Sequence, residues 1–321
     1  MNQKTVFSEQ VGIKYPIICG AMYPCSNPEL VAAASEAGGI GIIQPLSMVF
    51  AHKHDFRKGM ALIKQLTKKP VGMNIITEKS SKIYEDRMKL WLDIALEEGV
   101  RFFVTSLGNP KWVVDKANSV GGIVYHDVVD RKWAEKALES GVHGIICVNN
   151  RAGGHAGSLP IETLYKDLES LKVPVICAGG VSDKKSYEEA LSIGYAGVQM
   201  GTRFIATKEC NAHMDYKNAI IKATAKDIVL TEKISGVPVS VIKTEYIEKI
   251  GTKANPISKY LLKHKKMKHW MRLYYTLQSI WKLKRASLEG AGYKDYWQAG
   301  KSVDGCNSIL TTKEVIDGMV S

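Results

Sequence analysis

Eight apolar runs recur along the chain, each followed by a helix-period segment, and this rhythm limits the possible folds more than any other feature. The runs are Pro16–Met22, Gly39–Gln44, Pro70–Ile76, Val100–Ser106, Gly121–Asp127, Gly144–Val148, Val173–Ala178 and Ala196–Met200. They are continuous rather than alternating, as parallel strands buried on both faces require. The intervening stretches are amphipathic and carry capping signals. Asn27 precedes Pro28-Glu29, and Ser182-Asp183 opens the segment running through Glu189-Ala190-Leu191. About eight such units over roughly 200 residues match a (β/α)8 TIM barrel. A doubly wound open sheet is the rival, but no Gly-x-Gly-x-x-Gly follows the first strand, which runs Cys19-Gly20-Ala21-Met22-Tyr23-Pro24.

In such a barrel, chemistry sits on the loops after the strands. The sixth run ends at Asn149-Asn150 and opens into a glycine-rich turn, Arg151-Ala-Gly-Gly-His-Ala-Gly157, with one imidazole, His155, at its centre. Glycines there tolerate positive φ and let a flat ligand approach the backbone. The seventh and eighth runs end in Gly179-Gly180 and Gly201-Thr202. Loops seven and eight are the usual phosphate site of a barrel, and backbone N–H groups at these four residues, with the Thr202 hydroxyl, would face the dianion. Solvated or tight packing turns are the plainer reading of both motifs.

The chain of 321 residues, 45% hydrophobic, has ample apolar content for a barrel core. The N-terminal residues lack an apolar signal-peptide core, and no apolar run approaches the ~18 residues needed to span a bilayer. Six cysteines are dispersed, four of them (Cys19, Cys147, Cys177, Cys210) in or beside apolar runs. That usage indicates buried, reduced thiols and a cytoplasmic location rather than a disulfide framework. No Cys-x-x-Cys occurs, and His52 and His54 would diverge on a helix. No metal site is expected.

Taken together, Pro16-Ile-Ile-Cys-Gly-Ala-Met22, Pro28-Glu-Leu-Val-Ala-Ala-Ala-Ser-Glu-Ala-Gly-Gly39, Pro70-Val-Gly-Met-Asn74, Ala152-Gly-Gly-His-Ala-Gly157, Pro174-Val-Ile-Cys-Ala-Gly-Gly180, Gly197-Val-Gln-Met-Gly-Thr-Arg-Phe204 and Tyr296-Trp-Gln-Ala-Gly300 resemble the nitronate monooxygenase family. These proteins, once called 2-nitropropane dioxygenases, are FMN-dependent barrels. The resemblance implies that Ala21 and Met22 lie against the flavin ring and that Asn74 bonds the isoalloxazine edge. Gly154 would contact the cofactor by its backbone. Gly179, Gly180, Gln199, Met200, Gly201 and Thr202 would hold the ribityl phosphate, and His155 would be the active-site histidine. FMN rather than FAD is expected, because one phosphate cradle is legible.

Three departures mark this chain. Asn149-Asn150-Arg151 stands where many relatives carry a glutamate, and Lys301 where a glutamine is common. His126-Asp127 stands where many relatives place a lysine near the cofactor. A protonated His126 could take over that lysine's charge; a structural role is the alternative. The expected activity is oxidation of alkyl nitronates by O2 to carbonyl compounds and nitrite. The alternatives are an FMN-dependent enoyl-acyl-carrier-protein reductase acting on an unsaturated thioester with NAD(P)H, an NAD(P)H:quinone reductase, or a non-enzymatic flavin-binding docking protein.

Residues 1–208 read as the barrel. From 209 to 321 the βα rhythm is lost and composition turns helical and basic, consistent with a cap and closing segment packed on the barrel. Between Lys253 and Arg285 there is no acidic residue, and Leu261, Leu262, Met267, Trp270, Met271, Leu273, Tyr274, Leu277, Ile280 and Trp281 recur at helical spacing. The formal net charge is +12, most of it on this segment's polar face. A solvated helix face is the simplest explanation. A docking surface for an acidic carrier or CoA thioester, and a membrane-surface helix, are the functional ones. Nucleic acid is not expected, because no recognition motif accompanies the charge.

Overall fold

A computed structural model describes residues 4–78, 82–233, 237–253, 282–290 and 296–321. Eight parallel strands close into a barrel in sequential order: β1 (Ile17–Cys19), β2 (Ile40–Ile43), β3 (Gly72–Thr77), β4 (Phe102–Gly108), β5 (Ile123–Val128), β6 (Gly144–Val148), β7 (Val175–Ala178) and β8 (Gly197–Met200). Closure is direct, with Ile17, Ile18 and Cys19 of β1 in register with Val198, Gln199 and Met200 of β8. The rival open sheet is thereby excluded. The first apolar run is only half strand: Gly20 keeps one barrel bond, its N–H to the Met200 carbonyl at 2.9 Å, and the chain then turns away.

Helix α1 (Val6–Val11) precedes β1, and α2 (Pro28–Glu36), α3 (Phe56–Leu66), α4 (Lys82–Glu97), α5 (Lys111–Asn118), α6 (Arg131–Glu139), α7 (Ile161–Leu168) and α8 (Lys184–Ile193) follow the first seven strands. Asp183 caps α8 as its sequence suggests, accepting from Ser186 N at 2.8 Å. Asn27 does not cap α2 with its side chain. Its Nδ2 instead donates to Glu29 at 2.7 Å and to the Glu209 carbonyl at 2.9 Å, tying the start of α2 to the chain beyond β8.

Strand side chains alternate between two cores. Ile18, Ile40, Ile42, Phe102, Val104, Tyr125, Ile146, Ile176 and Ala178 fill the lumen. Their neighbours, such as Ile43, Phe103, Val124, Cys147, Val198 and Met200, pack under the helices. The N-terminal end is plugged by α1. The Phe7 ring lies 5.6 Å from Phe102 and 5.5 Å from Tyr125, and the Tyr125 hydroxyl donates to Gln10 at 2.8 Å. Among the described residues, this plug leaves the C-terminal end of the lumen for a ligand.

Beyond β8 the structure departs from a purely helical reading. Ile228–Thr231 and Val239–Ile242 pair as an antiparallel two-stranded sheet, rich in β-branched residues. Most of the basic stretch between Lys253 and Arg285, with its proposed carrier-docking face, lies outside the described residues. All six cysteines are free and buried. Among the described residues, no helix is long and apolar enough to cross a membrane, and no cluster of side chains could hold a metal ion.

Candidate active site at the barrel mouth

The loop after β6 is fixed by Asn149, which is fully buried. Its Nδ2 donates to the Gly179 carbonyl at 2.9 Å and its Oδ1 accepts from Arg151 N at 2.8 Å. Its carbonyl takes the Gly157 N–H at 3.2 Å, which closes the loop on itself. A Cβ on Gly157 would lie 2.2 Å from the Val148 carbonyl, so the closure requires glycine.

His155 rides on this knot. Its ring reaches solvent, yet the surrounding protein excludes enough water to lower its pKa below the ordinary imidazole value. The loop is clamped from outside by the chain beyond the barrel. Ser240 N donates to the Gly154 carbonyl at 2.7 Å, and Lys301 N to the Arg151 carbonyl at 2.8 Å. Gly300 N donates to Thr202 Oγ1 at 3.0 Å, so one stretch of backbone bridges the sixth and eighth loops. Tyr216 supports it, bonding the Gln298 carbonyl and stacking on Trp297 at 5.9 Å.

Gly179 and Gly180 have φ of +116° and +85°, the left-handed region. Any Cβ at Gly179 would sit 2.6 Å from Ala152 N, and at Gly180 2.7 Å from Arg151 Nε. A cavity of about 340 Å³ opens beside them, with Arg151, Ser186, Glu189 and Lys301 among its walls. Arg151 and Lys301, two of the departures in the sequence, thus meet at the glycine pair. Nothing in their separate motifs could have shown this.

Gly201 lies close to Met22: a Cβ there would be 3.3 Å from its Sδ. Ser47, in a π-helical turn after β2, donates to the Met22 carbonyl at 3.2 Å and holds that residue from the other side. Ala21 borders the lumen cluster. Asn74 is on the lumen face and donates to the Val104 carbonyl at 3.2 Å. Gln199 also faces the lumen, and its Oε1 is buried without a partner. Met200 differs: its side chain is in the helix-side core and its carbonyl is taken by Gly20, so it is not among the groups turned to the mouth.

His126 is not brought to the mouth either, which corrects the idea that it supplies a cation there. It shares the helix-facing row of β5 with Val124 and Val128, and its Nδ1 lies 2.8 Å from Thr105 Oγ1. Burial lowers its pKa to about 4, so the ring is neutral. Asp127 occupies the lumen position instead.

The glycine turns pack directly against the sixth loop, and on the lumen wall the buried Gln199 Oε1 lacks a donor that a ligand N–H could supply. A closed parallel barrel with these turns and a clamped histidine on its C-terminal loops has the layout of a TIM-barrel enzyme. The chain belongs to the nitronate monooxygenase family, whose model matches residues 4–321. The family is flavin-dependent.

Among its relatives, (3aS,4S,5R,7aS)-5-hydroxy-7a-methyl-1-oxo-octahydro-1H-indene-4-carboxyl-CoA dehydrogenase of Rhodococcus jostii is 26% identical over 99% of this chain and 95% of its own. A probable nitronate monooxygenase of Staphylococcus saprophyticus is 26% identical over 81% of this chain and 84% of its own. Of solved structures, FabK from Thermotoga maritima superposes with a TM-score of 0.81 at 30% identity, covering 99% of this chain and 95% of that one. Nitroalkane oxidase from Streptomyces ansochromogenes shares the fold, with a TM-score of 0.78 at 19% identity, covering 98% of this chain and 96% of that one.

Proposed function

We propose that this chain is an FMN-dependent oxidoreductase of nitronate monooxygenase type. The observation that carries the reading is His155, an imidazole on a clamped glycine-rich loop at the barrel mouth, its pKa lowered by the surrounding protein. FMN, when bound, would supply the electron chemistry between substrate and O2.

The residues divide the remaining work. Gly179, Gly180, Gly201 and Thr202 receive the phosphate, with the Thr202 hydroxyl still able to donate while its oxygen accepts from Gly300. Ala21 and Met22 would pack against the ring and Asn74 would meet its polar edge. Gln199, whose motif implied the phosphate, is on the lumen side and would meet that edge instead, and Gly154 would allow the close approach. His155 removes the α-proton of a nitroalkane, a task suited to an imidazole that is unprotonated at neutral pH. The resulting nitronate is oxidised to a carbonyl compound and nitrite.

A second reading, FMN-dependent reduction of an unsaturated thioester by NAD(P)H, draws on one observation. The Rhodococcus relative, named for a carboxyl-CoA substrate, aligns over 99% of this chain, closing segment included. Anaerobic mixing of the purified flavoprotein with propionate-3-nitronate, NADH, NADPH and crotonyl-CoA separates the two. Bleaching of the flavin by the nitronate supports the first reading. Bleaching by NAD(P)H alone, reversed by crotonyl-CoA, replaces it with the second. A colourless protein that fails to take up FMN ends both.

A further inference from the structure

Asp127 ends the lumen row of β5, two residues beyond Tyr125 of the plug. Its Oδ1 is sealed from solvent and has no hydrogen-bond partner, although the residue as a whole is partly open. An ionised carboxylate in that position would be expensive to desolvate. Burial raises its pKa to about 7.

Among the described residues, no neighbouring charge relieves the cost. On its own strand His126 faces the other way and is neutral. On β6 the nearby Cys147 thiol is pushed well above its ordinary value by burial and is neutral too. On β4, Thr105 and Ser106 carry no charge. Around the lumen wall, β8 contributes the other unpartnered oxygen, Gln199 Oε1. The two strands lie three places apart in a barrel of eight, so a flat ligand across the mouth can touch both.

We infer that Asp127, held as the neutral acid, donates a hydrogen bond to a carbonyl or ring-nitrogen acceptor of the heteroaromatic ligand, while Gln199 accepts from it on the far side. The inference rests on the FMN reading above. It also explains how the mouth manages without a cation on β5: a neutral donor stands in the lumen row.

The test is equilibrium dialysis of the full-length chain against FMN, for wild type, Asp127→Asn and Asp127→Ala, from pH 6 to 9. Asn keeps a donor of similar shape and should bind within about threefold of wild type. Ala should bind about tenfold more weakly, the factor that a difference of 1.4 kcal/mol produces. Wild-type affinity should be full below about pH 7 and fall as Asp127 ionises above it, whereas the Asn variant should be flat. A packing role would give no such pH dependence. If the Ala variant does not fold, the wild-type and Asn profiles decide alone. Identical pH profiles for wild type and Asn overturn the inference and leave FMN binding intact. Failure of wild type to bind FMN overturns the cofactor reading and this one with it.

Discussion

Gly300→Ala tests whether the closing segment positions the catalytic loop. The residue has φ −96° and ψ 173°, so alanine suffers no backbone strain and only contact matters. Its Cβ would lie 2.6 Å from the Arg151 carbonyl oxygen and 2.6 Å from Gly153 N, both backbone atoms that cannot rotate aside. Reaching an ordinary 3.4 Å contact needs a displacement of about 0.8 Å. That movement strains the Gly300–Thr202 and Lys301–Arg151 hydrogen bonds, at roughly 1–3 kcal/mol for the pair. Misplacing a reacting group by ~1 Å can cost ~10²-fold in rate. Substrate reduction of the flavin, followed by stopped flow, should therefore slow by roughly 10–100-fold. Gly318→Ala, in the C-terminal helix Thr312–Val320, is the control: a Cβ there meets nothing within 4 Å, and helix propensity favours alanine by roughly 0.5–1 kcal/mol. A Gly300→Ala enzyme that reduces its flavin as fast as the control would refute the clamp.

His155→Asn should retain FMN while slowing flavin reduction by a nitroalkane by about 10²-fold or more, the usual scale for an acid–base group; an unchanged rate would make the residue structural. In the wild type the base must be unprotonated, and its surroundings lower its pKa. The acid limb of kcat/KM should therefore lie below the ordinary 6.5, with a plateau through neutral pH; a limb above 6.5 would contradict the assignment.

The eight strands were legible because burial on both faces leaves continuous apolar runs, a signal that survives without alignment. The same continuity hid which way each side chain points. In Ile123-Val-Tyr-His-Asp-Val128 the apolar residues give no parity, and only the contact of Tyr125 with Phe7 shows that Asp127, not His126, faces the lumen. The glycine turns and His155 were visible as motifs, since positive φ and close backbone approach leave few residue types to choose from. Their support was not. Arg151 meets Lys301, and Gly154 meets Ser240, through pairings between distant parts of the chain. Strands Ile228–Thr231 and Val239–Ile242 did carry β-branched residues, but they are short and sit in a stretch whose overall composition is helical.

The charge state of the mouth bears on which form of the substrate enters. Among the described residues, the polar side chains turned towards the lumen include Asn74 and Gln199, which cannot ionise, His155, whose pKa is lowered by burial, and Asp127, whose carboxyl is pushed up to about 7 and is only partly ionised at neutral pH. His126 contributes no cation. Arg151 and Lys301 stand at the glycine pair, where the phosphate is placed; among the described residues the lumen face itself carries no cation, so an anionic nitronate settling there would give up hydration without a positive partner, which is costly. An anion formed in place has a different fate. When His155 takes the α-proton, the nitronate and the imidazolium are created together as a pair. The site should therefore prefer the neutral nitroalkane. Initial rates of flavin reduction, measured at one pH with fresh nitroalkane and with the preformed nitronate before they interconvert, should be faster for the neutral form. His155→Asn should abolish that advantage while leaving the slower nitronate reaction in place. Faster reduction by the preformed anion would show that a cation reaches the mouth after all.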